Sequence, residues 1–266
     1  MRFGMPSLIE TKSLEECAAL CAELQLDFVE LNMNLPQYQI QTMDAGQMKA
    51  VAEKYGISYT IHLDENMNVA DFNPLVAGTY RETVIQTIGL AKKLGIPVLN
   101  MHMPLGVYFT LPQGKVFLFG QYREQFYEQM RTFRDECERA IGGSGVRICV
   151  ENWFGYTDWQ IEALDILLES PAFGLTFDVG HNHCKGGVDE PVILERGAHL
   201  HHIHLHDVVG SKDHRPLGTG ELDVPKYLAL AEKHQCSVVV ETKTIAGLRQ
   251  SVWWLRGERE ICPSKE

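Results

Sequence analysis

Residues 200–223 read LHHIHLHDVVGSKDHRPLGTGELD. Side chains of a strand alternate between its two faces, so His202, His204 and His206 share one face and Ile203 and Leu205 take the other. Upstream, LTFDVGH (175–181) puts Asp178 with Thr176, opposite Leu175 and Phe177. Downstream, SVVVETK (237–243) puts Glu241 on the face of Val239. Three apolar β-runs in a row thus end in an imidazole or a carboxylate.

Working outward, the same kind of run recurs along the whole chain. Candidate strands are Arg2–Ile9, Phe28–Asn32, Ser58–Leu63, Pro97–Met101, Val146–Glu151, Gly174–Asp178, Leu200–Leu205 and Ser237–Glu241. Amphipathic stretches separate them, among them SLEECAALCAELQ, DAGQMKAVAEKYG, YRETVIQTIGLAKKLG, QYREQFYEQMRTFRDECERAIG, DWQIEALDILLES and VPKYLALAEKH. Gly56 and Gly95 stand where a left-handed residue closes a helix. The stretch after the sixth strand, DEPVILERGAH, is long enough only for a short helix. Eight strands alternating with helices predict an α/β fold, a (β/α)8 TIM barrel. No linker or composition break divides the chain, so 1–266 is expected to be a single domain.

Composition agrees with that class. The chain has 266 residues, 45% hydrophobic and 22% charged, which excludes disorder, collagen-like repeats and coiled coil. Asp and Glu number 35 against 24 Lys and Arg, a formal charge of −11, and an acidic surface repels phosphate backbones. Nucleic acid is therefore not the expected partner. The cysteines (17, 21, 137, 149, 184, 236 and 262) are odd in number and form no CxxC pair. No run approaches the 18 or so apolar residues of a membrane span and no signal pattern opens the sequence, so a cytoplasmic location is expected.

Active sites of this barrel are built at the C-terminal ends of the strands. Here seven consecutive ends offer an ionisable group: Glu30, His62, His102, Glu151, Asp178, His204 and Glu241. Bare carboxylates converging on a barrel axis would repel one another, and a divalent cation relieves that repulsion. Glu151, Asp178, His204 and Glu241 are the expected ligands, each following an apolar β-run in one register. Glu30 reads equally well as a structural partner for a basic residue, and His199 and His234 as surface or helix-end residues.

At these residues the chain resembles the xylose-isomerase-like barrel superfamily, which holds sugar isomerases and epimerases, dehydratases and apurinic-site endonucleases of the endonuclease IV type. FVELN, IHL, NMHMP, VENW, FDVGH, HIHLHDVVGSKDHRPLGTGELD and VVVETK carry the resemblance over nearly the whole chain. It implies that Glu151, Asp178, His204 and Glu241 hold the single catalytic metal of the epimerases, and that His181 touches substrate. His62, His102 and His214 match endonuclease metal ligands. Lys212 stands where that pattern wants an acidic ligand, with Asp213 displaced by one, which argues against a three-metal cluster.

Three carboxylates and one imidazole suit Mn²⁺, Mg²⁺ or Co²⁺, whereas recruiting His62 and His102 would favour Zn²⁺. One divalent ion is expected, Mn²⁺ ahead of the others. The leading expectation is isomerisation or epimerisation of a small ketose or related polyol ketone, with Glu151 and Glu241 as proton carriers. His62, His102, His181, His214, Arg215 and Trp153 are the expected substrate-binding residues, with Phe154 covering an apolar edge. Rivals are a sugar or cyclitol dehydratase, a phosphodiesterase at abasic DNA, and a metal-dependent binding protein without turnover. Lys212 and Arg215 are too few to assign a substrate phosphate.

Three features read as structural rather than chemical. The GTG of 218–220 is expected to be a turn and Trp253 and Trp254 packing or a subunit contact. Residues 104–121 read as a long aromatic connection, a lid or an oligomer contact. A homodimer is the default for a soluble enzyme.

Overall fold

The computed structural model describes residues 1–257; Cys262 and Glu258 lie outside them. Its strands are β1 (Arg2–Pro6), β2 (Phe28–Asn32), β3 (Ser58–His62), β4 (Val98–His102), β5 (Tyr108–Leu111), β6 (Gly114–Phe117), β7 (Arg147–Glu151), β8 (Phe173–Asp178), β9 (Leu200–Leu205), β10 (Asp207–Val209), β11 (Lys212–Arg215) and β12 (Ser237–Val240). Eight of them close a parallel barrel in the order β1-β12-β9-β8-β7-β4-β3-β2. All eight expected strands are present, with ends moved by a few residues.

Helices return over the outside: α1 (Leu14–Glu23), α2 (Ala45–Tyr55), α3 (Pro74–Leu94), α4 (Leu118–Gln121), α5 (Arg123–Ile141), α6 (Asp158–Leu168), α7 (Val179–Cys184), α8 (Asp189–Glu195), α9 (Val224–His234) and α10 (Ile245–Leu255). Their ends follow local rules. Ser13 and Asp44 accept backbone N–H groups at the starts of α1 and α2, and Gly56 and Gly95, each at φ 67°, close α2 and α3. None of the described helices is long and apolar enough to cross a membrane.

The hydrophobic core lies between strands and helices. Val29, Ile61, Leu99, Val150, Phe177 and Ile203 meet helix residues such as Met48, Ile88, Phe133 and Leu164, all buried. Each such side chain contributes roughly 1.5–3 kcal/mol by leaving water. The barrel axis is filled differently. TIM-barrel interiors are dominated by bulky branched residues, whereas Glu30, Thr60, Asn100, Thr176 and His202 stand here, each at most 2% exposed. Gly4 leaves room for Phe28, whose ring lies 2.3 Å from where a Cβ on residue 4 would sit.

Three expectations are refined. Glu30 lies in the middle of β2, whose bounds are those expected, so it stands inside the barrel rather than at its rim. The long aromatic connection of 104–121 has structure of its own: β5 and β6 form an antiparallel hairpin across Pro112 and Gln113, with Val107, Tyr108, Phe109 and Leu111 exposed. Glu241 lies one residue past the end of β12. The GTG segment is a turn, as expected; Gly218, at φ 77°, sits against the Trp254 indole, which would meet a Cβ at 2.0 Å.

Candidate metal centre

The side chains of Glu151, Asp178, His204 and Glu241 converge at the C-terminal end of the barrel, each with a ligand atom within 4.8 Å of the others. The barrel register explains why. Residue 178 pairs with 204, and 204 with Val239, so neighbouring strands deliver their inward residues at one height. His204 Nδ1 faces Glu241 Oε2 at 3.0 Å, Glu151 Oε1 at 3.2 Å and Asp178 Oδ2 at 4.0 Å.

These atoms crowd together without satisfying one another. Among the described residues His204 Nδ1, Glu241 Oε2, His181 Nδ1 and His214 Nε2 are buried and have no hydrogen-bond partner. Buried polar atoms are normally paired. Three carboxylates and an imidazole around one point, with lone pairs left over, fit a divalent cation in an oxygen-rich site. Charge behaves accordingly. Burial opposes ionisation of Glu151, but His204, His102 and His62 hold its carboxyl well below the usual range. Glu241 is held down by Lys243 and His204 against its own burial. Burial disfavours the His204 cation, yet Glu151, Glu30 and Glu241 raise its pKa well above 6.5.

Around this centre lie two imidazole groups. On one side Glu151 Oε2 faces His62 Nε2 at 3.3 Å and His102 Nε2 at 3.5 Å, and accepts from Asn100 Nδ2. Burial works against a charge on His62, but Glu151 lifts its pKa to about 9, while burial pushes His102 down to about 4. The Trp153 ring stacks on His102 at 5.2 Å and 11°, and its Nε1 donates to Met103 O.

On the other side stand His181, His206 and His214. His181 Nδ1 is 3.3 Å from Asp178 Oδ2. His206 Nε2 donates to Asp178, 3.0 Å from Oδ2 and 3.1 Å from Oδ1. Its Nδ1 accepts the backbone N–H of His214 at 2.8 Å. His214 Nε2 lies 3.3 Å from Glu241 Oε1, which also takes Lys243 Nζ at 2.8 Å. Asp213, displaced by one position from where the endonuclease-type pattern wants its acid, faces His214 Nδ1 at 3.0 Å and His181 Nε2 at 3.8 Å.

The structure therefore gathers Glu151, Asp178, His204, Glu241, His62, His102, His181, His214 and Trp153. It does not bring in Arg215, which is exposed at the end of β11. Phe154 is 40% exposed with Lys185 Nζ over its ring at 4.2 Å. Asn100, Asn152 and His206 were given no role from the sequence, and Glu30 takes the structural partnership that was one of its two readings. Glu30 bridges His202 Nε2 at 3.0 Å, Thr60 Oγ1 at 2.9 Å and His204 Nε2 at 2.8 Å. Asn152 clamps the Asp178 backbone, donating to its O and accepting from its N, each at 2.9 Å. Asn100 shares a strand face with His102, and His206, one residue past β9, continues the alternation of His204, a signal that period-two reading carries; Asn152, next to Glu151, falls out of that alternation and has none.

Comparison with known proteins agrees with this geometry. The family described as "Xylose isomerase-like TIM barrel" matches residues 18–258. The chain belongs to the xylose isomerase-like TIM barrel family. An uncharacterized protein of Methanocaldococcus jannaschii is 23% identical over 278 residues, spanning 100% of this chain and 92% of that protein. Among solved structures, a D-tagatose 3-epimerase-like protein superposes with TM-score 0.77 at 22% identity, covering 97% of each chain. A 3-keto-D-glucoside 4-epimerase from E. coli gives 0.79 at 14% identity, covering 97% of this chain and 99% of that one. A D-psicose 3-epimerase from Clostridium cellulolyticum H10, solved with D-tagatose, gives 0.74 at 15% identity, covering 97% and 98%. At these identities the likeness establishes a shared fold.

Proposed function

We propose that the chain is a divalent-metal-dependent isomerase or epimerase of a small ketose or related polyol ketone. The observation that carries this reading is the convergence of Glu151, Asp178, His204 and Glu241 with buried, unpaired donor atoms. Its solved structural neighbours include epimerases of D-tagatose and D-psicose type, which favours a ketose over other small molecules.

Glu151, Asp178, His204 and Glu241 would hold the ion, with Mn²⁺ favoured over Zn²⁺, Co²⁺ and Mg²⁺. When bound, the ion supplies Lewis-acid polarisation of a ketose carbonyl and a counter-charge for the carboxylates. The chain's own residues supply the proton chemistry. Both glutamates are held ionised, as a general base requires. Glu241 is the more open of the two, its side chain 12% exposed against 1% for Glu151. Glu241 removes the proton α to the carbonyl at one face and afterwards releases it to solvent, while Glu151, from β7, takes up a solvent proton and delivers it at the other face. His181 and His214 donate to substrate oxygens, His62 and His102 fix Glu151, and Trp153 packs an apolar edge.

Elemental analysis of the purified protein, followed by proton exchange from D₂O over a ketose panel, tests the reading. About one Mn or Co per chain with α-proton exchange is the expected result. Protein that neither carries nor binds Mn²⁺ or Zn²⁺ would remove the metal reading. A second reading, phosphodiester hydrolysis with more than one ion, is favoured by the His62–His102–Glu151 group, which shares Glu151 with the central quartet, and by His181 and His214 on the other side. Two or three Zn per chain would select it.

A further inference from the structure

We infer that His206 is a positioning residue that ties the β10–β11 strand pair to the Asp178 carboxylate, so that the strand bearing His214 and the metal centre move as one unit. The inference rests on the metal reading only for its metal-affinity half. His206 is completely buried and touches both oxygens of Asp178 through Nε2. Its other nitrogen accepts the His214 backbone N–H. Nδ1 cannot carry a proton while it accepts that N–H. The ring is thereby held as the Nε2–H tautomer, with its donor aimed at Asp178.

Three further features show that this arrangement is built. Gly180, two residues past Asp178, lies so close to His206 that a Cβ there would meet the ring at 2.0 Å. The His206 and His214 rings stack at 4.2 Å and 10°. His214 adopts φ 53°, a left-handed conformation costly for a residue with a Cβ. Such strain persists only where the surroundings over-determine it, and here the backbone N–H, the ring stack and the Glu241 contact all act on residue 214. Asp207 secures the base of the same segment, accepting N–H groups of Gly220 at 2.8 Å and Leu222 at 3.1 Å. His206 is the link from that segment to a metal ligand.

The two contacts can be separated. His206→Asn keeps an acceptor at the Nδ1 position and loses the donor to Asp178. His206→Gln keeps a donor at the Nε2 position and loses the acceptor for His214. His206→Phe loses both. On the full chain, Mn²⁺ affinity is read by calorimetry, and amide exchange of residues 208–216 by mass spectrometry on metal-free protein. The Asn variant is expected to keep loop protection while Mn²⁺ affinity falls about 10–100-fold, the usual loss when a ligand's supporting partner is removed. The Gln variant is expected to show the reverse, and Phe to lose both. Gly180→Ala, which displaces the ring with residue 206 intact, is expected to follow Phe.

A residue that only fills space would make Asn and Gln behave alike in both readouts, and that result overturns the proposal. Wild-type protein that binds no Mn²⁺ would bring down the metal reading alone. The exchange comparison still decides the tether, since equal loop exchange in the Asn and Phe variants overturns it.

Discussion

The two ends of the barrel are made from the same eight strands and carry opposite chemistry. At the C-terminal end, the buried Glu151 and Asp178 and the partly buried Glu241 face one another, with imidazoles between them. At the N-terminal end a cavity is lined by Arg2, Arg147 and His201, with Glu232 the one carboxylate among its lining residues. Arg2 lies over the Phe28 ring at 5.6 Å, and among the described residues Arg147 makes no ion pair. Arg2 is exposed and Arg147 and His201 are partly so, and water screens them. The carboxylates at the other end have little such screening, so their repulsion has to be met from within the site. Charge that water could neutralise is therefore uninformative, and charge that only a partner can neutralise marks the functional end.

Four outcomes would sharpen or break this contrast. The largest is expected at Glu241. Glu241→Gln keeps the volume and removes the charge, so turnover should fall about 100-fold or more, with weaker Mn²⁺ binding. Retained turnover would deny the C-terminal end its chemistry. Next, saturating Mn²⁺ should stabilise the wild type, by about 2.7 kcal/mol at 100 times Kd, and the Gln variant much less at the same concentration. Thermal melts with and without Mn²⁺ measure both.

Toward the other end the effects become structural. Gly4→Ala should cost about 1–3 kcal/mol by overpacking against Phe28, read by urea unfolding, with Mn²⁺ affinity unchanged. A loss of metal binding there would show the two ends to be coupled. The smallest effect belongs to His201. Burial, then Arg147 and two further histidines, push its pKa to about 4, against roughly 6.5 in an unfolded chain. The unfolded chain thus takes up the proton first, and stability present above pH ~6.5 is lost as pH falls toward 4. His201→Gln removes that loss, so the acid-unfolding midpoint should move to lower pH; a midpoint moving upward would reverse the assignment.

Much of the barrel was legible because its signals are local. Parallel strands covered by helices read as apolar runs, and the period of two showed which side of each strand carries Asp178, His204 and Glu241. Where reading failed, the missing quantity was height along the axis or contact across strands. Glu30 was placed on the inner face but at the rim, and only the barrel's stagger puts it beneath His204, 2.8 Å from Nε2. Arg215 lies in the motif next to His214, yet the β11 strand leaves it exposed. The β5–β6 hairpin was missed because Pro112 interrupts its aromatic run at the turn itself.

By itself, the sequence determined the eightfold alternation, the faces of the strands and the set of residues able to bind a cation, since these follow from periodicity and side-chain chemistry near in the chain. Only the tertiary structure decided which nitrogen of His206 carries a proton and which oxygens stay unpaired. It also decided that His62 and His102 share Glu151 with Asn100. Those depend on distances of about 3 Å between residues tens of positions apart, and such distances are set by barrel closure and register, which no single segment encodes.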